Sequence, residues 1–301
     1  MTNTHTELTT PPHGSIAPSS TTENWQRWWS GLTEQPGEVL WDAHPDDLAN
    51  DLTLFAAAFT SDLPVVDFGC GDGHQTRLLG AHFPAVVGID VAPAAIARAR
   101  AHSNPSNVFY RVVDARRPDA ARKLHDELGD VNVYIRGVLQ ALPPADRPRA
   151  VQAIATMLGR TGTLFVKELA PGVERYFAAL TEQHGPAPGM TRIMELVPPG
   201  TVSDDELARL FTRERFDVLA AGRGHIHTVN ATPDGHPIMV PAVYAIIAPR
   251  APRTPDPPRR QRLNGRPEAS DASSLRTPAP TPLEHGPPTS SGRPAASTPL
   301  G

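Results

Sequence analysis

The segment Leu63–Thr76, LPVVDFGCGDGHQT, sets an acid, Asp67, near the end of an apolar run and follows it with glycines at Gly69, Gly71 and Gly73. Glycine accepts positive φ and carries no side chain, so a ligand can lie directly against such a turn. The amides that open the following helix then point at that ligand. Two further apolar runs end the same way: Ala85–Ile89 leads into Asp90, and Asn107–Val113 into Asp114. Three strand candidates therefore each deliver a carboxylate at the carboxyl end, where open α/β sheets bind ligands. Such a set suits a nucleoside, one acid gripping ribose hydroxyls and another an adenine amino group. Singly, each acid reads equally well as a helix cap or a solvated strand end. In order and at regular spacing, they read as a site.

On these motifs the chain, from about Leu63 to Pro249, resembles the class I S-adenosylmethionine (SAM)-dependent methyltransferases, whose glycine loop reads roughly D-x-G-x-G-x-G. The resemblance implies that Asp67 and the Gly69–Cys70–Gly71–Gly73 backbone hold the methionine and ribose portion of SAM. It assigns Asp90, with Val91, to the ribose and Asp114, with Ala115, to the adenine. A nicotinamide dinucleotide site fits less well, because its G-x-G-x-x-G/A fingerprint must end small and His74 stands there. A phosphate-binding loop would need G-K-[ST], which is absent.

SAM brings its own electrophile, so the protein must align an acceptor and, for an oxygen or acidic carbon acceptor, take up a proton. Arg136 ends the fourth strand candidate, where the family places residues beside the methyl group. It can contact the cofactor, clamp a substrate anion bidentately, or pair with Asp114 or Glu168. Glu168 ends the fifth, LFVKEL, as a candidate base or as a partner for Lys167 or the backbone. GRGHIHTVNATPDGHP brings His225, His227 and His236 within twelve residues. His225 and His227 share one side of a strand, and imidazole titrates near neutrality, so either is a candidate base. A His-x-His pair with a third histidine also has metal-ligand character. Nothing else completes such a site, and no metal is assigned. The [DN]-P-P-[YF] motif of amide-type acceptors is absent, Pro143–Pro144 being followed by Ala145.

These residues require a scaffold. Apolar runs alternate with helical segments from Leu63 to Leu169, which implies right-handed crossovers and a parallel sheet. The fold class expected is α/β, Rossmann-like: seven strands, mostly parallel with an antiparallel last strand, and helices on both faces. Strands are expected at Phe216–Ala221 and Val240–Ala248, with Gly222–Pro237 as a connection on the cofactor face. Ser203 with Glu206 matches a capping box, and Gly185–Gly200 suits an active-site loop. All four tryptophans, Trp25, Trp28, Trp29 and Trp41, lie ahead of the glycine loop. The first three have helical i, i+3, i+4 spacing, which suits a helix that packs on the sheet and covers the substrate. The domain reading is therefore a disordered 1–22, a helical cover at 23–60, the methyltransferase domain at 61–249, and a disordered Pro/Arg-rich 250–301.

Composition supports that division. From Arg250 onward there are 12 prolines, eight Arg against four acids, and no Phe, Trp or Tyr. Such a segment buries too little apolar surface to offset chain entropy. With a net charge of −4 for the whole chain, the body sits near −8 and is ill suited to nucleic acid, whose phosphates supply most non-specific affinity. The single cysteine, Cys70, removes internal disulfides, thiolate zinc sites and iron–sulfur radical chemistry. No run approaches the roughly 18 apolar residues of a membrane span, so a cytoplasmic protein is expected, and the composition rich in Ala, Arg and Pro reads as bacterial. The expected activity is methyl transfer from SAM to a small molecule, oxygen favoured over nitrogen as acceptor. A methyltransferase acting on RNA or protein, or a catalytically silent SAM-binding protein, is the alternative.

Overall fold

A computed structural model describes residues 21–33, 39, 44–185, 195–198 and 200–250. Trp41, most of the segment read as an active-site loop, and the terminal stretches 1–20 and 251–301 read as disordered lie outside them.

The helices are α1 (Thr21–Ser30), α2 (Pro45–Phe55), α3 (His74–Leu79), α4 (Pro93–Ala101), α5 (Pro118–Leu128), α6 (Arg147–Leu158), α7 (Val173–His184) and α8 (Asp204–Leu210). The strands are β1 (Val65–Phe68), β2 (Val86–Asp90), β3 (Val108–Val112), β4 (Asn132–Arg136), β5 (Leu164–Leu169), β6 (Phe216–Ala231) and β7 (Pro237–Pro249). Pro45, Pro93 and Pro118 each open a helix, where a fixed φ and a missing N–H cost nothing. Ser203 caps α8, its hydroxyl accepting from Glu206 N at 3.1 Å.

Seven strands form one sheet in the order β3-β2-β1-β4-β5-β7-β6. The pairs β1–β2, β1–β4, β2–β3 and β4–β5 are parallel, whereas β7 runs antiparallel to both β5 and β6. Alternate residues of each central strand enter different cores. Val66 and Val133 pack with Leu124 of α5, Ile154 of α6 and Leu207 of α8. Val65 and Tyr134 pack with Phe55 of α2, Leu79 of α3 and Ile96 of α4. Helices on both faces explain why every residue of β1 is buried rather than alternate ones.

One expectation about this frame changes. Gly222–Pro237 is not an open connection: β6 runs 16 residues to Ala231, paired with β7 as far as Pro237. The turn is confined to Thr232–His236, where Gly235 N donates to Thr232 O. Glycines and polar residues hide this strand in the sequence, because much of its length is exposed on both faces.

Candidate active site

A large cavity opens at the carboxyl ends of β1, β2, β3 and β4, as the strand order requires, because the order in which strands are added switches sides of the sheet between β1 and β4. Its floor is the glycine loop. Gly69, Gly71 and Gly73 all have positive φ, at 78°, 55° and 78°. A Cβ on Gly71 would stand 2.7 and 2.9 Å from Cζ2 and Cη2 of Trp29. Side chains are therefore excluded there both by backbone conformation and by the ring lying over the loop. Gly69, Cys70 and Gly71 line the cavity, while Gly73 packs against Tyr110 at the N-cap of α3.

The three acids meet different surroundings. Asp67 is buried and accepts the Thr76 hydroxyl at 2.6 Å; loss of hydration raises its pKa to about 7. Asp90 accepts Gly71 N at 3.1 Å and Ala92 N at 2.8 Å, tying the loop to the end of β2. Burial raises its pKa to about 6 against the pull of those amides. Asp114 is partly exposed and holds Arg116 through two bonds, Nε to Oδ1 at 2.9 Å and Nη2 to Oδ2 at 3.0 Å. Burial opposes ionisation of Asp114, but Arg116 outweighs it and the pKa falls. Val91 and Ala115 also line the cavity.

Helix α1 closes the cavity from above. Trp25 and Trp29 line it, together with Thr21 and Thr22. Trp28 turns away into a cluster with Ala92 and Ala95. Polar contacts help hold the helix: Gln26 Oε1 accepts Ala94 N at 3.0 Å, and Arg116 donates to Thr22 Oγ1 at 2.5 Å. Arg116 thus links the Asp114 end of the cavity to its cover. No sequence pattern singled it out.

Arg136 lines the cavity, and its partner is neither Asp114 nor Glu168. Its Nε donates to Asp47 Oδ2 at 2.9 Å. Lys167 donates to Asp47 at 2.9 Å and Asp51 at 2.7 Å, and Tyr134 donates to Asp51 at 3.2 Å. This buried network joins α2 to β4 and β5. Sequence reading missed it because acids at 47 and 51 resemble a solvated face. Their i, i+4 spacing in phase with Leu48 and Phe55 was the available signal.

Three candidate bases lie off the cavity wall. Glu168 is buried, and its two oxygens accept Val138 N, Leu139 N and Gln140 N at 2.9–3.1 Å. It caps the 3-10 turn Leu139–Ala141, and burial raises its pKa to about 7. His225 and His227 do share one face of β6, but it is the Ile226 and Thr228 side that lines the cavity. A one-residue shift in phase sends a strand's side chains to the opposite face. Sequence reading also missed Gln75, a cavity residue whose buried side-chain amide has no hydrogen-bond partner among the described residues. Beyond Arg136 the wall is formed by Leu142, Leu169, Phe177, Val197, Ile226 and Val240, with Thr228 as a polar point.

The residues present fit a nucleoside cofactor: a glycine-rich loop, acids at or just past two successive strand ends, and an orphaned amide in the first turn of α3. Sheet order and site together define a Rossmann-like methyltransferase. The methyltransferase domain family model matches residues 65–162. The chain is 30% identical to a SAM-dependent methyltransferase of Anabaena variabilis, covering 77% of this chain and 96% of that one with a TM-score of 0.70. The chain belongs to the SAM-dependent methyltransferases, and SAM is its cofactor. It is also 40% identical over 105 residues to trans-aconitate 2-methyltransferase of Klebsiella pneumoniae, a match spanning 34% of this chain and 38% of that relative's length. A structure from work on the conversion of a disulfide bond into a thioacetal group during echinomycin biosynthesis shares the fold. It has a TM-score of 0.56 at 18% identity, over 76% of this chain and 92% of that one. No described helix is long and apolar enough to cross a membrane.

Proposed function

We propose that this enzyme methylates a small molecule with a largely apolar body, held between Trp25, Trp29 and the wall formed by Phe177, Leu169, Ile226 and Val240. The observation that carries the reading is that this wall and the glycine loop share one cavity beneath α1. When bound, SAM supplies an electrophilic sulfonium methyl group. Asp90 holds the ribose hydroxyls, and its bonds to Gly71 N and Ala92 N fix the carboxylate for that task. The Asp114–Arg116 pair borders the adenine end. The Gln75 amide and the loop amides meet the methionine end. Trp25 and Trp29 exclude water, so the acceptor is aligned in a dry space and orientation supplies the rate enhancement.

The proton question takes a different form once His225, His227 and Glu168 lie off the wall. The imidazole and carboxylates that do line the cavity, His74, Asp67, Asp72, Asp90 and Asp114, come from the glycine loop, the start of α3 and the strand ends. The preference for an oxygen acceptor loses its support with His225 and His227. The acceptor enters as a ready nucleophile, a carboxylate, thiolate or unprotonated amine. A polycarboxylate such as trans-aconitate fits poorly, because both arginines that line the cavity are held by acids, Arg116 by Asp114 and Arg136 by Asp47. The test is transfer of labelled methyl from SAM to a panel of aromatic carboxylates, thiols and amines, with trans-aconitate included. Apolar acceptors are expected to be labelled and trans-aconitate not; the reverse pattern would overturn the reading.

A further inference from the structure

The three histidines near the hairpin part company in the structure. His225 is exposed, and His236 lies in the turn with its Nε2 3.4 Å from Asp234 Oδ2. His227 meets two residues from the start of α2 instead. Its ring stacks on that of His44, with centroids 4.5 Å apart and planes 16° from parallel. His44 Nδ1 stands 3.3 Å from Asp46 Oδ2. One nitrogen from each imidazole and one carboxylate oxygen lie within 4.8 Å of one another.

We propose that His44, Asp46 and His227 form a divalent-cation site, best matched to zinc, that clips the start of α2 to strand β6. Two imidazoles and a carboxylate are a donor set that zinc accepts, with room for water in the fourth position. The backbone holds the two segments in place without the ion. His44 N donates to His227 O at 2.9 Å, and His227 N donates to Asp47 Oδ1 at 2.9 Å. Tetrahedral zinc separates its donors by about 3.4 Å, given bonds of about 2.0–2.2 Å. Closing on an ion requires the two stacked rings to turn so that their nitrogens converge, with His44 Nε2 free to ligate while Nδ1 accepts Asp46 N; the Asp46 and His44 side chains are 70% and 43% exposed. The clip would act on the active site from outside. Asp47, next to Asp46, holds Arg136 and Lys167, while Ile226 and Thr228, flanking His227, line the cavity.

The test is calorimetric titration of Zn²⁺ into the full, untagged, chelator-treated chain. About one equivalent is expected to bind with a micromolar dissociation constant, and His44→Asn and His227→Ala should each weaken it by roughly tenfold or more. His44 is the N-cap of α2, its Nδ1 accepting Asp46 N at 3.3 Å; Asn can take that role, so His44→Asn removes the imidazole while keeping the helix start. His225→Ala should leave affinity unchanged. At zinc concentrations near 100 times the native dissociation constant, the unfolding constant should fall about 100-fold in the native sequence and by about 10-fold or less in His44→Asn. No binding by the native chain, or equal affinity in His44→Asn and His227→Ala, would overturn the site.

Discussion

Replacing Gly71 with alanine tests whether the N-terminal helix is part of the cofactor site. The new Cβ meets two resistances. At φ 55° an L-residue suffers about 1–2 kcal/mol of strain. The methyl would also stand 2.7 Å from Cζ2 of Trp29, an overpacking that costs typically about 1–3 kcal/mol. The structure could relieve the clash by releasing α1, but that exposes Trp28 and Trp29, now 1% and 3% accessible. Losing even one such side chain from a core costs about 3–5 kcal/mol, so release is the dearer route. The ring should shift while the helix stays docked. Expected outcomes are a loss of about 2–5 kcal/mol by urea denaturation, a changed tryptophan emission spectrum, and a fall in SAM affinity. Gly235→Ala is the control, with a φ of 86° and open space around it. It carries backbone strain without the tryptophan contact and should leave emission and SAM affinity as they are. If Gly71→Ala matches this control in both readouts, Trp29 does not lie over the loop.

Other consequences are equally direct. Lys167→Met leaves Asp47 and Asp51 buried with one cation fewer, and breaking such a buried set costs about 3–5 kcal/mol. Adding Asp51→Asn should restore part of that stability in a denaturant titration, and no recovery would refute the pairing. The raised pKa of Asp67, about 7, means the folded state holds a proton that the unfolded chain releases near pH 4. Stability should therefore fall as pH rises from about 4 to 7, by at most on the order of 4 kcal/mol from this group. Asp67→Asn should flatten that part of the profile, and melting curves at pH 5 and pH 8 for both proteins would show it.

The parallel half of the sheet was legible because its strands are buried on both faces, so β-branched runs such as VVDF and VVGID stand out. The positions of Asp90 and Asp114 on the cavity were legible for a related reason, each following such a run. The Asp47–Asp51–Lys167–Arg136 network was not, since nothing local distinguishes a buried acid from a solvated one; its burial depends on cations supplied more than 80 residues away. The length of β6 was hidden by its exposure, which removes the alternation that marks a half-buried strand. Glu168 shows the limit from the other side. A carboxylate at the end of a central strand reads as chemistry, and here three backbone amides consume it.

The central claim is that the loop beneath Trp29 and the carboxylate of Asp90 form the SAM site. Calorimetric titration of the full chain with SAM and S-adenosylhomocysteine, repeated on Asp90→Ala with a thermal melt to confirm folding, tests it most directly. Micromolar binding of both by the native chain, lost in the folded variant, is the expected result. Equal affinity in Asp90→Ala, or no binding by a folded native chain, would contradict it.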